Sequence, residues 1–161
     1  MLNLTELNGL LAINKLVGLT SAAVIRYLKL ALTQKATPDL EGFIAAENTY
    51  IGHAKRKLWV PRLKLKVGHG GTLDPFASGV LVVGLGDGCK MLSRCLKGDK
   101  GYTATGCLGY ATDTLDIDGI ITDTQPSSAS KVTESQLLDA LSKFVGEISQ
   151  MPPLYVLHVI A

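Results

Sequence analysis

Cysteine and histidine are scarce in this chain, with three of each in 161 residues. Cys89, Cys95 and Cys107 form no Cys-x-x-Cys pair, and His53, His69 and His158 stand at no metal-ligand spacing from them or from one another. This argues against a zinc site and against a disulfide framework, and the odd thiols read as reduced, semi-buried groups of an intracellular protein. No apolar run approaches the length of a membrane span, and the N-terminus lacks a basic segment leading into an apolar core. Nucleus or cytoplasm is the default location, with the mitochondrion also open. There is no Gly-x-Ser-x-Gly elbow, so an esterase nucleophile has no place to sit, and three scattered histidines assemble no triad. The Lys-Ser/Thr ending of a phosphate-binding P-loop is missing too.

What is present is ordinary for a soluble globular protein: 47% hydrophobic residues, 19% charged, net charge +2. The length is one domain's worth of chain, enough to bury a core. A local scarcity is more informative than these totals. No carboxylate occurs between Glu47 and Asp74, while Lys55, Arg56, Lys57, Arg62, Lys64 and Lys66 all fall there. Such a run suits the approach of an anionic ligand, and a solvated surface loop accounts for it equally well. It leads into V-G-H-G-G-T-L-D-P-F-A-S-G-V-L-V-V-G-L-G, residues 67–86. Glycine serves where backbone turns sharply or approaches a ligand closely, and Pro75 fixes the chain direction behind the single carboxylate of the turn, Asp74.

Gly9–Asn14 reads as a buried strand, and Thr20-Ser21 as the N-cap of a helix whose buried face carries Val24, Ile25, Leu28 and Leu32. Periodicity dissolves over about 33–63, which reads as a basic, loosely structured insertion; Tyr50 and Trp59 within it are local anchors or base-stacking aromatics. Gly79–Leu85 is apolar enough for a central strand. Gly84–Gly88 has its glycines misplaced for a dinucleotide fingerprint. Cys89–Leu96 suggests a helix with Met91, Leu92 and Leu96 inward, and Gly101–Leu108 a strand with Tyr102 on one face. Asp113, Asp116 and Asp118 lack the register of a calcium loop and suit a structural turn. A short strand at Ile120–Thr122, a linker at Pro126–Ser130 and a helix capped by Thr133 and Gln136 follow. Leu137, Leu138, Leu141, Phe144 and Val145 mark that helix's core face, and Gly146 ends it. Strands mixed with helices, without regular β-α-β spacing, imply an α+β fold.

A lone Asp beside Gly and Pro is ordinarily a turn former. With hydrolase and phosphate-loop chemistry set aside, the remainder is one carboxylate in a rigid turn, a strand aromatic and a basic approach. That combination suits a carboxylate acting on a nucleotide flipped out of its stack.

The segment G-H-G-G-T-L-D-P-F-A-S-G-V-L-V-V-G-L-G resembles the signature of the TruB family of tRNA pseudouridine-55 synthases. So do four further blocks in the same order: G-L-L-A-I-N-K at 9–15 with Gly18, Thr20 and Ser21; K-G-Y-T-A at 100–104; L-G-Y-A-T-D-T-L-D at 108–116 with Gly119; and Q-M-P-P-L-Y at 150–155. The basic insertion and K-M-L at 90–92 are more similar to the eukaryotic branch. The resemblance implies a mixed, mainly antiparallel sheet with flanking helices, and isomerisation of uridine without metal or cofactor. It implies that Asp74 is the essential aspartate, acting on the ribose at C1′ or C2′ while the uracil detaches, rotates and rejoins through C5. Tyr102 matches the tyrosine that stacks on the flipped uracil and serves as a base in the final proton removal. His69 matches the histidine that accommodates the flipped nucleotide, Gly70, Gly71 and Thr72 continue that substrate-binding motif, and Lys15 matches a lysine supporting the catalytic loop. The implied partner is RNA, the T-arm of tRNA first and mRNA as a further substrate, read by shape and stacking; no membrane is involved and a monomer is expected.

Two departures stand out. Leu16 replaces the proline that usually follows the first-motif lysine. After Tyr155 the family continues with Ser-Ala-Leu-Lys and a strand carrying an arginine that pairs with the aspartate, whereas here V-L-H-V-I-A follows. Residues 1–161 are therefore expected to form the N-terminal portion of a catalytic domain, C-terminally truncated and without the RNA-binding portion. The alternative function is a catalytically inactive RNA-binding module.

Overall fold

The computed structural model describes residues 6–34, 39, 41–43 and 65–149. The basic run up to Lys64, Tyr50, Trp59, His53, His158 and the Gln150–Tyr155 block lie outside the described residues. The chain divides into two compact units at Asp99 and Lys100.

In the first unit, β1 (Gly9–Lys15), β2 (Val67–His69) and β3 (Gly79–Leu85) form an antiparallel sheet in the order β1-β3-β2. The long apolar strand β3 takes the centre, as its composition requires. Its Leu81, Val83 and Leu85 point to one face and are buried there. The helix α1 (Ser21–Gln34) supplies Ala23, Val24 and Ile25 to the same core, with Leu28 and Leu32 partly buried against it. The Thr20 hydroxyl accepts from the Ala23 amide at 3.0 Å, so Thr20 alone is the helix cap. α1 runs into the span read as an insertion, and Phe43 within that span joins the core edge-on to Tyr27, with ring centroids 5.2 Å apart. β1 is less covered than its sequence suggests: Leu10 and Leu11 are exposed. Among the described residues β1 pairs with β3 alone, and within it Lys15 is buried while Gly9 and Ile13 are half-buried.

After β3 the chain does not form one helix from Cys89. A 3-10 turn, Gly86–Met91, precedes α2 (Leu92–Lys97). Met91 and Leu96, expected inward, are exposed. The half-buried pair is Leu92 and Cys95, whose spacing of three brings them to one helix face. This connection lies so close to β1 and β3 that two glycines have no room for a side chain. A Cβ on Gly84 would stand 2.9 Å from the Cys89 backbone, and one on Gly88 would fall on the Gly9 peptide.

The second unit departs further from expectation. Gly101–Cys107 has no regular secondary structure, because no described strand pairs with it, and Tyr102 is 73% exposed. β4 (Tyr110–Thr112) and β5 (Ile121–Thr124) make a two-stranded ribbon with an irregularity at Ala111/Thr112. The aspartates between them act as turn fasteners. Asp116 accepts from the Thr114 hydroxyl and the Asp118 amide at 2.6 and 2.9 Å, and Asp113 accepts from the Ile120 amide at 2.8 Å. The expected linker at 126–130 is instead a single helical turn, α3 (Pro126–Ala129), with proline at the start where its missing N–H costs nothing. α4 (Glu134–Ser142) has the expected capping box: the Thr133 hydroxyl accepts from Gln136 N, and the Gln136 side chain accepts from Thr133 N. It ends four residues before Gly146. Leu137, Leu138, Leu141, Phe144 and Val145 are exposed rather than in a core. The periodic stripe fixed which residues share a side; no described residue covers it. Cys107 is likewise exposed, whereas Cys89 and Cys95 are half-buried as expected.

Gly88→Ala is expected to destabilise the first unit by about 1–3 kcal/mol, because the added methyl meets backbone that cannot rotate away. Urea denaturation of the two proteins side by side measures the difference.

Candidate active site

The loop at 70–78 leaves β2 after His69 and returns as β3 at Gly79. Gly70 N donates to Val82 O at 2.8 Å, carrying the sheet pairing one residue past β2. Gly70 lies against α2: a Cβ there would sit 3.1 Å from Cys95 Cβ and 3.2 Å from the Leu92 carbonyl. Gly71 has φ +137°, a conformation that disfavours any L side chain. The Gly71 carbonyl accepts from His69 Nδ1 at 2.6 Å, and since a carbonyl has no proton to give, Nδ1 carries the hydrogen. The imidazole thereby fixes the exit from β2 and presents Nε2 away from the bond. Thr72 is exposed. Asp74 opens a tight turn with Pro75 at its second position, closed by Ala77 N donating to Asp74 O at 3.1 Å. Its carboxylate is exposed, at the tip of a loop whose flanks are tied down.

The ties come from the turn between β1 and α1. Gly18 N donates to Pro75 O at 2.8 Å. Ser21 Oγ accepts from Leu73 N at 3.0 Å and donates to Leu73 O at 3.3 Å. Lys15, wholly without solvent exposure, donates from Nζ to Leu19 O at 2.7 Å, Leu16 O at 3.1 Å and Pro75 O at 3.4 Å. An ammonium group has three N–H bonds, and these carbonyls use all of them. Burial pulls the Lys15 pKa below the ordinary lysine range, and the Asp74 carboxylate partly offsets this through space.

Six of the seven residues singled out from the sequence, Lys15, His69, Gly70, Gly71, Thr72 and Asp74, thus lie on the first unit around one loop and its anchor. Tyr102 belongs to the second unit. Gly18 and Ser21, read from the sequence only as motif and cap residues, and Leu73 join the site here. The signal for Ser21 was available: adjacent hydroxyls at 20 and 21 cannot both occupy the one N-cap position, so the second must find other work.

Lys15→Met, which keeps the chain length and removes the donors, should lower the unfolding free energy by about 1–3 kcal/mol by taking the donor from the buried Leu19 carbonyl, while Pro75 O keeps Gly18 N. Between the depressed pKa and the ordinary lysine range, the unfolded chain holds a proton that the folded chain has released. The contribution of Lys15 to stability therefore rises with pH across that window and is flat below it. Urea melts of wild type and Lys15→Met through the alkaline range should show the gap between them widening with pH.

Residues 55–157 match the model of the N-terminal domain of TruB family pseudouridylate synthases. Over 152 residues, 94% of the chain, it is 46% identical to human pseudouridylate synthase TRUB1 and covers 39% of that protein. It is 43% identical to tRNA pseudouridine synthase 4 of Schizosaccharomyces pombe, over 94% of the chain and 36% of the relative. With tRNA pseudouridine synthase B of Zymomonas mobilis it shares 40% identity over 78% of the chain and 43% of the relative. The chain spans about two fifths of the length of these relatives. Its α+β architecture, with an antiparallel sheet flanked by helices, agrees with the matched domain. The chain belongs to the TruB family of pseudouridylate synthases.

Proposed function

We propose that this chain isomerises uridine to pseudouridine in RNA, with the T-loop uridine-55 of tRNA as its first substrate and mRNA uridines in similar loops as further ones. The observation that carries the reading is the placement of Asp74: an exposed carboxylate at the tip of a loop whose two flanks are hydrogen-bonded to the turn between β1 and α1. Family membership, and the names of relatives that act on tRNA, support the same reading.

The reaction breaks the bond from C1′ to N1 of uracil and makes one from C1′ to C5. N1 gains a proton and C5 loses one, so no oxidant, reductant or co-substrate enters. Asp74 acts on the ribose at C1′ or C2′ during detachment, and Tyr102 stacks on the base and takes the C5 proton. His69, with Nδ1 committed to Gly71 O, offers its other edge to the displaced strand. Gly71, with open space where a side chain would stand, lets RNA backbone approach closely, Gly70 keeps the loop against α2, Thr72 offers an exposed hydroxyl, and Lys15 holds the loop from below. The RNA is read by the shape of its folded arm and by stacking. The protein works as a monomer.

Incubation of the chain with unmodified tRNA, followed by mapping of pseudouridine, should give product at the T-loop uridine. Asp74→Asn should remove that product while RNA retention on a filter is unchanged. RNA retention without product in wild type and variant alike would establish a binding module and sink the catalytic reading.

A further inference from the structure

We infer that Ser21 is a positioning residue for Asp74, acting through Leu73; this rests on the function proposed above. The Ser21 side chain is only 2% exposed, and its hydroxyl meets both polar groups of a single peptide-chain residue, accepting from Leu73 N at 3.0 Å and donating to Leu73 O at 3.3 Å. Leu73 is the residue immediately before Asp74. A two-point contact fixes both the height and the rotation of the Leu73 backbone, and so the direction in which the next Cα–Cβ bond leaves the chain. On the other side of Asp74, Pro75 O is held by Gly18 N at 2.8 Å and Lys15 Nζ at 3.4 Å. Asp74 is thus bracketed, one residue away on each side, by groups from one short turn. Ser21 is the member of that bracket whose side chain does nothing for its own helix, since Thr20 provides the cap.

Capping and clamping are thereby divided between two neighbouring hydroxyls, which makes a matched control available. Thr20→Ala removes a bond from the same turn without touching Leu73, and Ser21→Ala removes the clamp and leaves the cap. With unmodified tRNA as substrate, Ser21→Ala should lower kcat by about a hundredfold with KM within about threefold, the pattern of a reacting group displaced by an ångström or less of drift. Ser21→Thr, which keeps the hydroxyl, should recover most of the rate, and Ser21→Cys, which keeps the volume but bonds weakly, should fall between. Thr20→Ala should lower Tm and leave kcat within twofold of wild type. Independently of activity, amide hydrogen exchange at Leu73 should be faster in Ser21→Ala and Ser21→Cys and unchanged in Thr20→Ala.

Faster exchange at Leu73 with kcat unchanged in Ser21→Ala and Ser21→Cys would show a clamp without a positioning role and overturn the proposal. So would unchanged exchange, or a kcat loss in Thr20→Ala equal to that in Ser21→Ala, which would make the effect one of general stability. If Ser21→Ala does not fold, Ser21→Cys decides by the same two readouts. A wild-type chain that yields no pseudouridine overturns the catalytic reading, and the positioning role falls with it, while exchange at Leu73 still decides whether the clamp exists.

Discussion

The Lys15 ammonium, with no solvent exposure and three backbone carbonyls as its acceptors, is the constraint on which the first unit's working end depends. Removing a charged group from water is costly, and the cost is tolerable only when every donor finds an acceptor. Two of those acceptors, Leu16 O and Leu19 O, belong to the turn that follows β1, and the third, Pro75 O, to the loop between β2 and β3. The cation therefore cannot be satisfied unless the turn curls back over the strand end and the loop is drawn in beside it. Satisfying one side chain sets the relative position of two loops that are about sixty residues apart in the sequence.

That arrangement also explains why the Lys15 and Asp74 side chains do not form a conventional ion pair. With all three N–H bonds taken by carbonyls, the ammonium has no donor left for the carboxylate, and the two charges attract only through space. A direct bond would have pulled Asp74 down onto the buried cation and hidden it. Instead the cation is spent on the main chain at Pro75, and the carboxylate stays exposed at the loop tip. The glycines complete the geometry from the β2 side, where Gly70 lets the loop lie against Cys95 and Leu92, and Gly71 takes a φ that a side chain would strain.

Local patterns were legible in the sequence to the extent that they are local. The capping box at Thr133 depends on residues three positions apart and forms as read, and of the Thr20-Ser21 pair Thr20 alone makes the cap of α1. Readings that depended on a partner fared differently. The alternation at Gly101–Leu108 marks residues that could share a strand face, but a strand exists only by hydrogen bonding to a neighbour. The stripe on α4 marks a face, not what covers it. At the candidate site, Asp74, His69 and Lys15 were visible as residue types in a motif. The role of Ser21 was only half visible: beside Thr20 it was a hydroxyl with no cap to make, but its partner Leu73 is 52 positions away and no local pattern names it.

The division of work between residues 15, 18, 20 and 21 bears on the proposed chemistry. An isomerisation that imports no atoms leaves the protein little to supply beyond orientation, so its carboxylate must be held in place without being consumed by the holding. A carboxylate anchored through its own oxygens would have those oxygens occupied. Anchoring the neighbouring peptides instead, through Leu73 on one side and Pro75 on the other, restrains the Asp74 backbone and leaves the side chain at the solvent-facing tip. Buried groups acting on main chain, with the reactive group carried outward on the restrained segment, are what such a reaction demands of a loop, and the turn after β1 provides them from within seven consecutive residues, Lys15 to Ser21.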